Sequence, residues 1–218
     1  MNIGIITCPG QPIHNYVNWV ELSGANAVVI PYNVKNILTY LEPLHGILWT
    51  GGSIERKKYS SEYPTYIGNL YLCYQAIKQY NDNGRKFPIW GTCLGFELLV
   101  LFNLHPPSNH LFKYIQSHPV NAIHSLTMKK SRMKQWFSKT LLARMKTPCV
   151  VHHHKFGFDI TPFPHITIVS TDDNFINMIE YKDYPFYGVQ FHPERPFDEL
   201  SYQVSYEFSC FFKNECKN

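Results

Sequence analysis

The chain has 218 residues, 44% of them hydrophobic and 17% charged, enough for one domain with a sizeable core. Its formal net charge of +4 is not gathered into a basic stripe, which argues against nucleic-acid binding and suits attraction of small anionic substrates instead. No apolar run is long enough to span a bilayer, and MNIGIITCPGQP lacks the charged and apolar regions of a signal peptide, so a cytoplasmic chain with reduced cysteines is expected.

Taken in chain order, the first half alternates between two periodicities. NIGIIT (2–7) is apolar and β-branched, a strand, and NYVNWVELSG (15–24) has helical spacing closed by a glycine. AVVIPYN (27–33) predicts a strand and VKNILTYLEPL (34–44) a helix. GILWTGG (46–52) is an apolar run ending in a double-glycine turn. TYIGNLYLCYQAIKQYNDNG (65–84) predicts a long amphipathic helix, FPIW (87–90) a short buried strand, and GFELLVLFNL (95–104) a helix. Apolar strands alternating with helices predict an α/β domain whose parallel sheet is covered on both faces. In the second half, SRMKQWFSKTLLARMK (131–146) has helical spacing, while CVVHHH (149–154) and ITIVSTDD (166–173) have strand character. FINMIEYKDYPFYGVQF (175–191) predicts a hairpin around Lys182 and Asp183, and ELSYQVSYEFSCFFKN (199–214) a closing helix. No linker or repeat interrupts this order, so residues 1–218 are expected to form a single domain.

Three stretches carry chemistry. Cys93 lies on the turn Gly91-Thr92-Cys93-Leu94-Gly95, between an apolar strand and a helix, which is the context of a nucleophile elbow. Free N–H groups and partial positive charge at the helix start favour a thiolate and an oxyanion. The other cysteines, Cys8, Cys73, Cys149, Cys210 and Cys216, are expected to be ordinary core or surface residues. A thiol needs a base and the base an orienting group; His192 and Glu194, around Pro193 at the end of an apolar strand, supply both, on one side of the chain if it stays extended. Trp49-Thr50-Gly51-Gly52-Ser53, at the end of another apolar strand, can aim a backbone N–H at a reacting carbonyl oxygen, although alone it is a simple turn.

Together these stretches resemble the gamma-glutamyl hydrolase family within the class I glutamine-amidotransferase-like superfamily. HGILWTGGSIE, FPIWGTCLGFELL, KKSRM, HKFG and INMIEYKDYPFYGVQFHPER all look like that family's stretches, in the family's order. The resemblance implies a flavodoxin-like, mixed but mostly parallel sheet with helices on both faces. It also implies a cysteine-dependent hydrolase of folylpoly-γ-glutamates, working through a glutamyl thioester. Cys93 matches the nucleophile, His192 the general base and Glu194 the third member of the triad. Glu97 and His154 match further functional positions, and the N–H groups of Gly52 and Leu94 would form the oxyanion hole. Phe156 departs from the tryptophan usual after the family's His-Lys pair.

Competing readings attach to several of these residues. Glu97 is either a solvated helix residue or, one turn from Cys93, part of the pocket; ammonia-transferring relatives of the superfamily typically carry glutamine there. Arg56, with Lys57 and Lys58, is either a solvated loop or a partner for a substrate α-carboxylate. His152, His153 and His154 invite a metal, but no third ligand at metal spacing accompanies them, so no metal and no organic cofactor is expected. The substrate would be the small-molecule folate polyglutamate, with no nucleic-acid or membrane partner and a homodimer as one possible assembly. The alternatives are a glutaminase subunit, a hydrolase of another small γ-glutamyl amide, and a catalytically silent binding protein.

Overall fold

A computed structural model describes residues 1–52, 64–107 and 115–217. Seven strands form one sheet in the order β2-β1-β3-β4-β9-β8-β7. β1 (Asn2–Ile6), β2 (Asn26–Ile30), β3 (Gly46–Trp49), β4 (Ile89–Thr92) and β9 (Phe186–Val189) run parallel. β8 (Phe175–Tyr181) and β7 (Ile166–Asp172) add an antiparallel edge. The mixed, mostly parallel α/β sheet expected from the sequence is therefore present.

The parallel strands are apolar on both faces because each face has its own core. Ile6, Ile47, Trp49, Ile89 and Phe186 pack with α3 (Pro64–Asp82) and α4 (Leu94–Leu104). Their neighbours Ile3, Ile5, Leu48, Trp90 and Tyr187 point the other way, into α1 (His14–Leu22) and α7 (Glu199–Glu215). This is the period-two consequence of strand geometry applied to the inner strands, which are covered on both faces, while the edge strand β2 leaves Val29 exposed. An aromatic cluster seals the second core: the Trp90 ring lies 5.2 Å from Trp19, 5.8 Å from Phe208 and 5.7 Å from Phe212. α7 starts on a capping box between Asp198 and Ser201, with the Ser201 N–H donating to Asp198 Oδ1 at 2.7 Å.

Several expected elements differ in extent. The helix expected over 34–44 is only α2 (Leu38–Leu41), with Pro43 just beyond it. The single helix expected over 131–146 is two, α5 (Arg132–Trp136) and α6 (Lys139–Arg144). Phe137 takes extended dihedrals so that its ring reaches Phe208, 4.9 Å away, and the Ser138 hydroxyl then caps α6 by accepting from the Leu141 N–H. Tertiary packing overrides helical spacing there. The sequence also gave no sign of β5 (Gln116–His124), which pairs antiparallel with β6 (Val150–Gly157) as a separate two-stranded ribbon.

Candidate active site

Adjacent strands deliver the candidate residues to one edge. β3, β4 and β9 are neighbours, with Trp49 opposite Gly91 and Thr92 opposite Val189. The chain beyond each strand therefore emerges at one level: Thr50-Gly51-Gly52, then Cys93-Leu94, then Gln190 to Glu194. This is the carboxyl edge of the parallel strands, where open α/β sheets bind ligands.

Cys93 has φ 51° and ψ −108°, a conformation that non-glycine residues rarely adopt. Two hydrogen bonds hold it there: its N–H donates to the Val189 carbonyl at 2.8 Å and its carbonyl accepts from the Glu97 N–H at 2.9 Å. Backbone strain of this kind costs roughly 1–3 kcal/mol and persists only where the surroundings over-determine it. The flanking glycines make those surroundings possible. A Cβ on Gly95 would stand 2.3 Å from the Trp49 carbonyl oxygen, and one on Gly91 would stand 2.6 Å from the Gly95 carbonyl oxygen. The first turn of α4 thus lies directly on the backbones of β3 and β4. Cys93 is buried at 5% exposure, at the start of a helix whose first N–H groups have no intrahelical acceptor.

His192 faces the same point. A Cβ added to Gly51 would come within 3.0 Å of His192 Cε1 and 3.2 Å of Cys93 Cβ, so the two side chains flank one spot. His192 Nδ1 bonds Glu194 Oε1 at 2.7 Å, and both are buried. Burial opposes charge on the imidazole, but the Glu194 carboxylate and then the Cys93 sulfur outweigh it and push His192 up to about 10. Among the described residues Nε2 has no partner at hydrogen-bond geometry, and the Cys93 sulfur acts on the ring electrostatically, favouring its charged form. The His-Pro-Glu segment is not extended as the sequence suggested: the Arg195 N–H closes a turn onto the His192 carbonyl at 3.1 Å. The turn, and not strand alternation, brings carboxylate to imidazole.

The remaining candidates fall out as follows. A Cβ on Gly52 would lie 2.8 Å from Leu94 Cδ2, so these two residues stand side by side next to Cys93. Glu97 is buried, not solvated, and accepts from Gln190 Nε2 at 3.2 Å. His154 is buried on β6; burial, with the His192 charge adding to it, pushes the ring down to about 4, so it sits neutral near His192. Its Nε2 contacts His152 Nδ1 at 3.1 Å. Arg56 lies outside the described residues, as do Lys57 and Lys58.

Sequence reasoning missed three contributors. Tyr16, on α1, accepts the Gly51 N–H at 2.9 Å through its hydroxyl, and the Glu194 charge acts on the same group. Burial first, then Glu194 and Cys93, hold that phenol well above its ordinary range, so it stays a neutral hydroxyl. Gln190 positions Glu97. Cys8 packs its sulfur against Gly52, and burial followed by the Cys93 charge pushes its thiol up to about 12, which keeps it inert. Tyr16 and Cys8 carried no local signal because their partners are far away in sequence. Gln190 lies inside the stretch YGVQFHPER and was legible in principle.

Comparison with known proteins places the chain in a family. The family profile described as glutamine amidotransferase class-I matches residues 5–207. Gamma-glutamyl hydrolase B of Dictyostelium discoideum is 28% identical over 83% of this chain and 55% of its own length. Gamma-glutamyl hydrolase of Bos taurus is 32% identical over 83% of this chain and 59% of its own. The chain therefore matches little more than half the length of these relatives. The solved structure of PurLQS from Thermotoga maritima superposes with a TM-score of 0.66 at 14% identity, covering 98% of each chain, a likeness of fold.

Proposed function

Because the chain belongs to the class-I glutamine amidotransferase family, we propose that it is a cysteine-dependent hydrolase that cuts γ-glutamyl amide bonds, with folylpoly-γ-glutamates as substrate. The observation that carries this reading is the strained Cys93 turn beside the His192–Glu194 pair joined at 2.7 Å. The relatives named gamma-glutamyl hydrolase support the choice of bond.

In the proposed reaction Cys93 gives its thiol proton to His192 and its sulfur attacks the γ-carbonyl. The N–H groups of Gly52 and Leu94 hold the oxyanion. His192, its proton stabilised by Glu194, gives that proton to the leaving amine, and a glutamyl thioester remains on Cys93. His192 then takes a proton from water as the water attacks the thioester; the acid leaves, the proton returns to the departing sulfur, and Cys93 and His192 regain their starting state. Glu97, held by Gln190, is the proposed contact for the glutamyl moiety; His154, with both ring nitrogens already hydrogen-bonded, is a packing neighbour, and Arg56 is the proposed partner for an α-carboxylate. No step requires a metal or organic cofactor.

The test is pteroyl-tri-γ-glutamate and, separately, glutamine, each incubated with the protein and with Cys93→Ala. Glutamate released from the first alone, and not by the variant, supports the proposal. Ammonia released from glutamine alone points to an amidotransferase subunit. Binding without turnover points to a silent binding protein.

A further inference from the structure

His152 resembles a satisfied core histidine until its hydrogen bonds are followed atom by atom. The Phe156 carbonyl can only accept, so His154 Nδ1 carries a proton and donates to it at 2.9 Å. A buried, uncharged His154 then has a bare Nε2, which accepts from His152 Nδ1 at 3.1 Å. That assigns the one proton of a neutral His152 to Nδ1 and leaves Nε2 as a lone pair. The residue is 0% exposed, and among the described residues Nε2 has no hydrogen-bond partner. A buried acceptor without a donor is costly, and here it has a visible alternative use.

Donor atoms of His124, His152 and Asp172 all lie within 4.8 Å of one another. They come from three strands. In the β5–β6 ladder His124 is opposite Val150 and Ala122 is opposite His152, so the two imidazoles are diagonal neighbours on one face, with ring centroids 4.9 Å apart. Asp172 ends β7 and bonds His124 Nδ1 through Oδ2.

We propose that His124, His152 and Asp172 form a binding site for a divalent transition-metal ion of the zinc class, which fastens the β5–β6 ribbon to the edge strand β7. Two imidazoles and one carboxylate are a zinc donor set, and they disfavour calcium and magnesium, which take oxygen ligands. Metal–ligand bonds of about 2.0–2.2 Å put donors about 3.4 Å apart in a tetrahedral shell, within reach of small side-chain rotations from the observed cluster. The ion replaces the proton between His124 Nδ1 and Asp172, that proton goes to solvent, and water completes the shell. His154 then plays the outer part common to such sites, accepting the Nδ1–H of a ligating imidazole and fixing its tautomer. The site does not touch the reacting atoms. It adjoins them, because the His192 N–H donates to the Val151 carbonyl at 2.8 Å, one residue from His152. The sequence suggested a metal at His152, His153 and His154, of which only His152 belongs to this set; the ligands that complete it stand 28 and 20 positions away and meet it only through the fold.

The test titrates the chelator-treated full chain with Co2+, followed by its visible absorption, and measures Tm with and without Zn2+. Cys93→Ala is included because the thiolate is itself a potential ligand. Asp172→Asn and His124→Gln alter partly exposed side chains, and circular dichroism checks that they fold. The expected result is one Co2+ per wild-type and per Cys93→Ala chain, with Tm raised by Zn2+ in both. In Asp172→Asn and His124→Gln, Co2+ affinity falls at least about tenfold and the Zn2+ shift disappears. No stoichiometric Co2+ binding, unchanged affinity in the two ligand variants, or loss of binding in Cys93→Ala alone would overturn the assignment.

Discussion

The Cys93 turn and the β5–β6 ribbon both touch His192, yet they are built on opposite principles. At the turn, backbone lies on backbone: Gly91 and Gly95 leave no room for a side chain, and the Cys93 N–H is fixed to β9. The ribbon is open and polar, with Ile123 46% exposed and a bulge between Ser117 and Val120. One region is specified by local sterics and the other by pairing between distant segments. The difference teaches which parts tolerate change. A methyl group is a serious perturbation at the turn and a small one on the ribbon's outer face.

The sharpest way to probe the contrast is Cys93→Ala, which removes the proposed nucleophile from a turn whose geometry is set by its backbone. Turnover should fall by at least about 10³-fold in a glutamate-release assay while the circular dichroism spectrum is unchanged. Glu194→Gln keeps the shape of the His-Pro-Glu turn but removes the charge that holds the imidazolium. A loss in kcat of about 10²-fold or more is expected, against a smaller change in KM. Gly95→Ala places a methyl 2.3 Å from the Trp49 carbonyl oxygen. It should cost about 3 kcal/mol, roughly 6–12 °C in Tm by calorimetry, because neither backbone can retreat.

A subtler effect concerns pH. The folded His192 is pushed up to about 10, burial opposing and Glu194 favouring its charge. Its stabilising contribution is therefore complete below its unfolded value of about 6.5 and is lost as pH rises through the folded one. Between pH 7 and 10 the urea midpoint of the wild type should fall more steeply than that of Glu194→Gln; parallel curves would show that the carboxylate does not hold the proton. The smallest effect belongs to the ribbon: Ile123→Thr should change stability by less than about 0.5 kcal/mol. A larger loss would mean that the ribbon face is covered in solution.

Legibility followed the same division. The apolar strands β1, β3 and β9 and the helices α1, α3, α4 and α7 could be read from periodicity, because a sheet buried on both faces leaves unbroken apolar runs. Cys93, His192 and Glu194 could be read because strand, turn and helix signals stand next to each residue. β5 could not: QSHPVNAIH mixes Pro119 with polar residues, and its partners on β6 lie 26 (His124 to Val150) to 41 (Gln116 to Gly157) positions later. Phe137 broke an expected helix for a ring contact with Phe208, a partner on α7 that no local window contains. Tyr16 and the His124–His152–Asp172 group were hidden for the same reason, since their significance lies wholly in what the fold sets beside them.

Consider finally the single rung joining the Cys93 N–H to Val189. Because sulfur and imidazole leave the sheet from neighbouring parallel strands, the gap between them is inherited from the ladder and no hinge stands between them. Such a site has no separate way to melt: on heating, catalysis and tertiary order should disappear together, in one transition.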